Sequence, residues 1–249
     1  MKGKLENSVS NELQVTVQSV YNLMSMGLVQ LEMRLLTEFD SGKDFLSWSP
    51  SKKQKFSDAL LEMLYTNRKI ISNCNFAIVD TKTLEMKATV FWEFHNNWYG
   101  VLTYYGGPTI SIDLYTMENV NEHFSNATSL VPYQMASIPA ASINLLGTTF
   151  LKDVRDAIAP RDIIISAVPI PSVHDMTTGV GVRLYQNEET FGLLTGLFYA
   201  NSNLKSQLME KNPTKEGFIV VFQDDGVIIG DSYPDTDFGG VKFCNTTEP

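Results

Sequence analysis

Cysteine is nearly missing from this chain of 249 residues, which has only two, Cys74 and Cys244, and three histidines. The two cysteines stand at no metal-ligand spacing from each other or from a histidine, which argues against a zinc framework. A disulfide between them would close a very long loop, and spacing alone does not separate that from two buried free thiols. Basic charge is also short: 19 Lys and Arg against 28 Asp and Glu give a formal net charge of -9. That balance argues against a nucleic-acid partner, whose phosphates call for clustered cations, and against docking on an anionic membrane surface. No stretch approaches the ~20 consecutive apolar residues that cross a bilayer. The opening Met1-Lys2-Gly3-Lys4-Leu5-Glu6 has no apolar signal-peptide core. Read literally it describes a cytosolic chain; the other reading is a domain trimmed of its membrane anchors. The phosphate-cradling loop, the His-Glu-x-x-His zinc helix and the Gly-x-Ser-x-Gly elbow are all missing. Gly179-Val180-Gly181 lacks the third glycine and the helix that dinucleotide binding needs, and reads as a turn.

What is present is an ordinary globular composition, 43% apolar and 19% charged, long enough for a real core. Two glycosylation triplets, Asn126-Ala127-Thr128 and Asn245-Thr246-Thr247, fit an exported chain. The apolar residues Val9, Leu13, Val17, Val20, Met24, Leu28, Leu31 and Leu35 recur at spacings of three and four. They predict one long helix of ~30 residues and ~45 Å, ended at Asp40-Ser41-Gly42. Such a helix is either a bundle element or a stalk leading out of a membrane. Ser49-Pro50 caps a second helix with Phe56, Leu60, Met63 and Leu64 on its apolar face. The period then changes: 76–80 and 86–94 read as a hairpin. Residues 96–160, dense in aromatics and carrying Gly106-Gly107-Pro108, read as a loop-rich insertion with one short helix at 145–158, ended by Ala159-Pro160.

The last third predicts a strand at 163–170, a turn at 175–179, strands at 180–185 and 191–199, and a helix at 203–211 after an Asn201 cap. A final hairpin turns at Asp224-Asp225-Gly226. Helices first and antiparallel hairpins afterwards predict an α+β fold with a single antiparallel sheet. The division expected is a helical segment at 1–73 and a sheet module at 74–249.

The pieces 165–170, 175–179, 192–208 and 217–230, in this order and spacing, resemble the Cache family of extracytoplasmic sensor modules, which are PAS-like. The long first helix and the 76–94 hairpin match the start of that family, so the resemblance covers about residues 5–233. It implies a long N-terminal helix packed on a PAS-like antiparallel sheet. It also implies the ligand-binding part, extracellular or periplasmic, of a transmembrane histidine kinase, chemoreceptor or nucleotide cyclase, not an enzyme. The family's amino-acid clamp joins an Arg, a Trp-x-Tyr-like pair and an Asp. Here Arg161-Asp162 has no Trp or Tyr beside it, so that specificity is not carried over.

On a PAS-like plan a small molecule lies between the sheet and the loops over it. The candidates to line that pocket are Trp98, Tyr104, Tyr105, Arg161, Ser166, Arg183, Tyr185 and Tyr199, with Arg161 or Arg183 pairing a ligand carboxylate. His95, His123 and His174 read as surface or hydrogen-bonding residues, with the pocket mouth as the second reading of His174. Asp231, Asp235 and Asp237 read as a solvated turn, since the calcium-loop spacing and its closing Glu are missing. No cofactor or metal is expected. The partners expected are a small molecule, a membrane met only through segments outside this chain, and by analogy a second copy through the first helix. The competing reading is a soluble hydrolase with a site in 96–160.

Overall fold

The computed structural model describes residues 2–69, 71–80, 83, 85–95, 97–142, 149–156, 163–170, 175–186, 188–199, 205–210, 217–222, 226 and 228–233. At some of these, including 2–10, 165–170 and 175–178, only the backbone is described. Helix α1 spans Lys2–Glu38, and its backbone turns out through Asp40–Gly42, where Gly42 has φ +78°. Helix α2 spans Pro50–Asn67; Pro50 opens it and the Ser49 hydroxyl accepts from the Lys52 N–H, as the cap signal requires. Five strands and a helix follow: β1 (Asn73–Val79), β2 (Met86–His95), β3 (Trp98–Tyr104), β4 (Thr109–Thr116), α3 (Met117–Asn126) and β5 (Gln134–Pro139). Then come α4 (Thr149–Asp156), β6 (Ile163–Ile170), β7 (Asp175–Gln186), β8 (Glu189–Tyr199), α5 (Lys205–Glu210), β9 (Val220–Phe222) and β10 (Ile228–Asp231).

The fold is α+β, built on an eight-stranded sheet in the order β5-β4-β3-β2-β1-β8-β7-β6. All seven pairings are antiparallel. Two meanders, one on each side, meet at the central β1–β8 pair. One face of the sheet carries Cys74, Phe76, Val90, Trp92, Tyr99, Val182 and Leu194. These share a core with Leu28, Leu31 and Leu35 of α1 and Phe56, Leu60 and Leu64 of α2. Gly196 faces Leu28 across this core, and its tightest neighbour is β1: a Cβ there would lie 3.3 Å from the Asn73 carbonyl oxygen. The Trp92 indole N–H donates to the Ser57 hydroxyl at 3.0 Å, and the Cys74 thiol to the Leu60 carbonyl at 3.4 Å, tying the sheet to α2. Cys74 is a buried free thiol; Cys244 lies outside the described residues.

Three expectations are corrected. Residues 96–160 are not a loop-rich insertion: β3, β4 and β5 extend the sheet outward, and α4 covers Thr149–Asp156 of the helix expected at 145–158, whose remaining residues lie outside those described. Gly106-Gly107-Pro108 is the turn between β3 and β4, with Gly106 at φ +79°; punctuation read as a loop was a hairpin. Residues 175–179 form no turn but open β7, paired from Ile170↔Asp175 to Ser166↔Gly179, as suits the β-branched pair Thr177-Thr178. Gly179 and Gly181 are therefore strand residues. Finally, the sheet is not single, since β9 and β10 form a separate two-stranded sheet. The central strands β1 and β8 are already paired on both sides, so the last hairpin has no place beside them.

Candidate functional site

Two consecutive positions of a strand point to opposite faces, so each residue's register assigns it a side. The face away from α1 and α2 carries Asn73, Asn75, Ala77 and Val79 on β1. Through the ladders it also carries Thr89, Phe91, Glu93 and His95 on β2 and Trp98, Gly100, Leu102 and Tyr104 on β3. On the other side of β1 it continues through Leu193, Thr195 and Leu197 of β8 to Gly179, Gly181 and Arg183 of β7. Val154 of α4 packs on this face with Ala77, Val79 and Leu193, covering it over β1 and β8. Over β2 and β3 the same face is only half-buried, at Phe91, Glu93, His95, Trp98, Leu102 and Tyr104.

This half-open region has a polar floor. Thr89, 1% exposed, places its hydroxyl 2.6 Å from Asn75 Oδ1 and 2.9 Å from the Phe76 carbonyl oxygen. Asn73 Oδ1 accepts from the Leu197 N–H at 3.0 Å. Glu93 and Trp98 converge over Gly100: a Cβ at Gly100 would lie 3.2 Å from Glu93 Oε1 and 2.9 Å from Trp98 Cζ3. The absent side chain is what leaves them room. The indole of Trp98 stacks on the His95 ring, with centroids 5.0 Å apart. Burial pushes the Glu93 carboxyl above its usual value, an effect the His95 charge partly offsets. Among the described residues no hydrogen-bond donor reaches that carboxylate, and no Lys or Arg pairs with it.

A carboxyl raised in the folded state makes the native protein hold the proton more tightly than the unfolded chain does. Its contribution to stability is therefore full below the ordinary carboxylate range and is lost as pH rises through the raised value. Glu93→Gln is expected to remove that loss. Melting curves of the two proteins should differ least below about pH 4, with the variant the more stable of the two near neutral pH. Parallel curves across that range would contradict the burial argument.

The sequence-predicted residues divide as follows. Trp98, Tyr104 and Arg183 share this face by register, and Arg183 lies against the Tyr185 ring, 5.7 Å from its centroid. Backbone register puts Ser166 and Tyr199 at positions of the same face, through Gly179 and Thr177. They do not form one small pocket, however. Tyr104 and Arg183 are the ends of one cross-sheet row, Tyr104–Thr89–Ala77–Leu193–Arg183. That row spans four strand spacings, about 19 Å. Tyr105 is on the opposite side, its ring 5.7 Å from Phe45 and under the Lys53 ammonium at 4.9 Å. Arg161, His174, the Asn201 cap, Asp235 and Asp237 lie outside the described residues. Asp231 is buried on β10 and 3.7 Å from the Lys205 ammonium, so it belongs to no solvated turn. His123 Nδ1 is 2.6 Å from the Thr128 carbonyl oxygen. Sequence reasoning passed over Glu93, Asn75 and Thr89. Polar residues there alternate with the core-facing residues of β1 and β2, a pattern that a face turned to water gives as well.

No family model matches the chain, and neither does any curated protein. Among solved structures the chain is similar to a methyl-accepting chemotaxis protein X at 11% identity and a TM-score of 0.47, over 91% of this chain and 75% of that one. It is similar to the periplasmic sensory domain of the Campylobacter jejuni chemoreceptor Tlp1 at 10% identity and a TM-score of 0.45, over 95% and 72% of the two chains. It is also similar to the ligand-binding domain of the Pseudomonas aeruginosa PAO1 amino acid chemoreceptor PctC. There the identity is 11% and the TM-score 0.46, over 96% and 80% of the chains. None of these likenesses carries a site residue over to this chain.

Proposed function

We propose that the chain is a ligand-sensing domain of the Cache, PAS-like type, the extracytoplasmic part of a transmembrane receptor. On this reading it binds a small molecule against the half-open sheet face and reports occupancy through α1. The observation that carries the reading is a sheet with two unlike faces. One is sealed by helices into the core; the other has a polar floor and half-buried aromatic walls, the make-up of a small-molecule site. The inner strands run β2-β1-β8-β7-β6, with β3, β4 and β5 added outside.

α1 supplies the output. Its 37 residues run about 56 Å, and its C-terminal part, through Leu28, Leu31 and Leu35, shares the core with β1 and β8. Among its described side chains, those before Ser25 are exposed or half-exposed, as a stalk requires. A ligand that favours one setting of the sheet thereby favours one setting of the helix. A membrane partner reached through flanking segments and a homodimer along α1 belong to the same proposal.

The test is a thermal-shift series with amino acids, organic acids, amines and nucleosides, alongside turnover assays on generic esters and phosphoesters. A sensor gains stability with a saturating ligand, about 2.7 kcal/mol at a hundredfold excess over Kd, and turns nothing over. Turnover of an ester with no stabilising ligand would sink the proposal in favour of a hydrolase.

A further inference from the structure

We infer that the open sheet face takes a small organic amine, its ammonium group seated between the Glu93 carboxylate and the Trp98 indole above Gly100. This rests on the reading of that face as the ligand side of a sensor, and it names the ligand's chemistry.

Within the described residues His95, stacked on Trp98, is the one basic side chain that eases the Glu93 charge, and it does so only in part. Glu93 is half-buried, and among the described residues no Lys or Arg pairs with it and no N–H donates to it. A carboxylate drawn out of water without a partner is costly, and the usual partners are a cation or hydrogen-bond donors. The indole that shares the space over Gly100 is the side chain best suited to a cation, through the negative face of its ring. His95, stacked on Trp98, holds that ring in place. A single carboxylate with Asn73 and His95 as its polar neighbours is a poor cage for calcium or magnesium, which take six or more oxygens. It suits an ammonium, which brings three donors and carries its own apolar body. The row that starts beside Glu93, Phe91–Leu102–Ile112, is half-buried and apolar and offers that body a surface. A ligand carboxylate finds the wrong sign here, because Arg183 stands on the far side of β1 and β8.

The probes are n-butylamine, n-butanol and butyrate, which share one apolar body and differ in charge. Calorimetric titration of the protein should give binding of butylamine and none of butyrate or butanol at the same concentrations. Glu93→Gln, which is expected to fold at least as stably as the parent near neutral pH, should weaken butylamine about 10- to 100-fold. Trp98→Leu should weaken it a further several-fold when combined with the first change, or about threefold or more alone. Arg34→Gln, on α1 and paired with Glu38 and Glu62 away from this face, should leave it unchanged. Butyrate binding in preference to butylamine, or a butylamine affinity indifferent to Glu93→Gln, overturns the amine assignment. If in that case some other class of compound still stabilises the protein, the sensor reading stands without it. If no compound of any class binds, both readings fall together.

Discussion

Phe76→Ala is expected to cost about 3–5 kcal/mol of folding free energy and to lower the melting temperature by on the order of 10 °C. Phe76 is fully buried on β1, the central strand, with its ring 4.7 Å from Phe56 and 5.1 Å from Phe45. Phe56 in turn meets Phe39 and Trp48, at 5.2 and 5.8 Å. Truncation would therefore leave a hole walled by rings that edge-to-face contacts already hold in place, so the site would relax little. The ring also joins three elements, since α1 ends over it, α2 packs on it and β8 pairs its backbone with Leu194. Phe76→Leu, which keeps most of the volume, should cost far less. Chemical denaturation of the two variants measures the difference, and a loss below about 1 kcal/mol for the alanine would mean that the cavity collapses.

The second large effect is expected at Gly42, the residue that turns the chain out of α1. Its φ of +78° is strained for any side chain, and a Cβ there would lie 3.0 Å from Leu35 Cδ1 and 3.2 Å from Phe76 Cζ. Gly42→Ala combines backbone strain of about 1–3 kcal/mol with overpacking of about 1–3 kcal/mol. Gly226 separates the two causes. Its φ is +83°, yet nothing lies within 4 Å of a Cβ placed on it. Gly226→Ala should show the strain alone, and denaturation midpoints of the pair should differ by the packing part. Equal losses at both positions would show that the contacts with Leu35 and Phe76 yield freely.

Much of this architecture is legible in the chain because local chemistry and tertiary demand agree. Gly42 ends α1 and Ser49-Pro50 opens α2 through backbone needs that a few residues satisfy by themselves. The strands β1, β2, β6 and β8 are apolar enough to be read directly. The outer strands are not, because their residues serve two masters. Trp98 to Tyr104 alternates between the core, at Tyr99 and Val101, and the open face, at Trp98, Gly100 and Leu102. Aromatic side chains on both faces hide that alternation. The candidate site divides along the same line. Trp98 and Tyr104 stand out as aromatics, whereas Tyr105, one residue on, packs with Phe45 because successive strand residues change sides. Glu93 is invisible for the opposite reason: a charge in a strand ordinarily marks water. Only its cross-strand place beside Asn73 and Gly100 reveals a half-buried carboxylate.

The seam between β1 and β8 bears on how the molecule comes into being. Within each meander, neighbouring strands are joined by short turns or compact connections, but the Leu197 N–H that Asn73 accepts lies 124 residues further along the chain. Closing so long a loop is entropically expensive, and contacts of this separation slow folding more than hairpins do. The two half-sheets can each assemble locally; the seam must wait for both. Asn75 and Thr195, paired across that seam, belong to the floor of the open face. A chain still emerging from the ribosome therefore holds β2, β3 and the rest of the first meander before β8 exists, and the polar floor shared by Asn75 and Thr195 is whole only once the last third of the chain has been made.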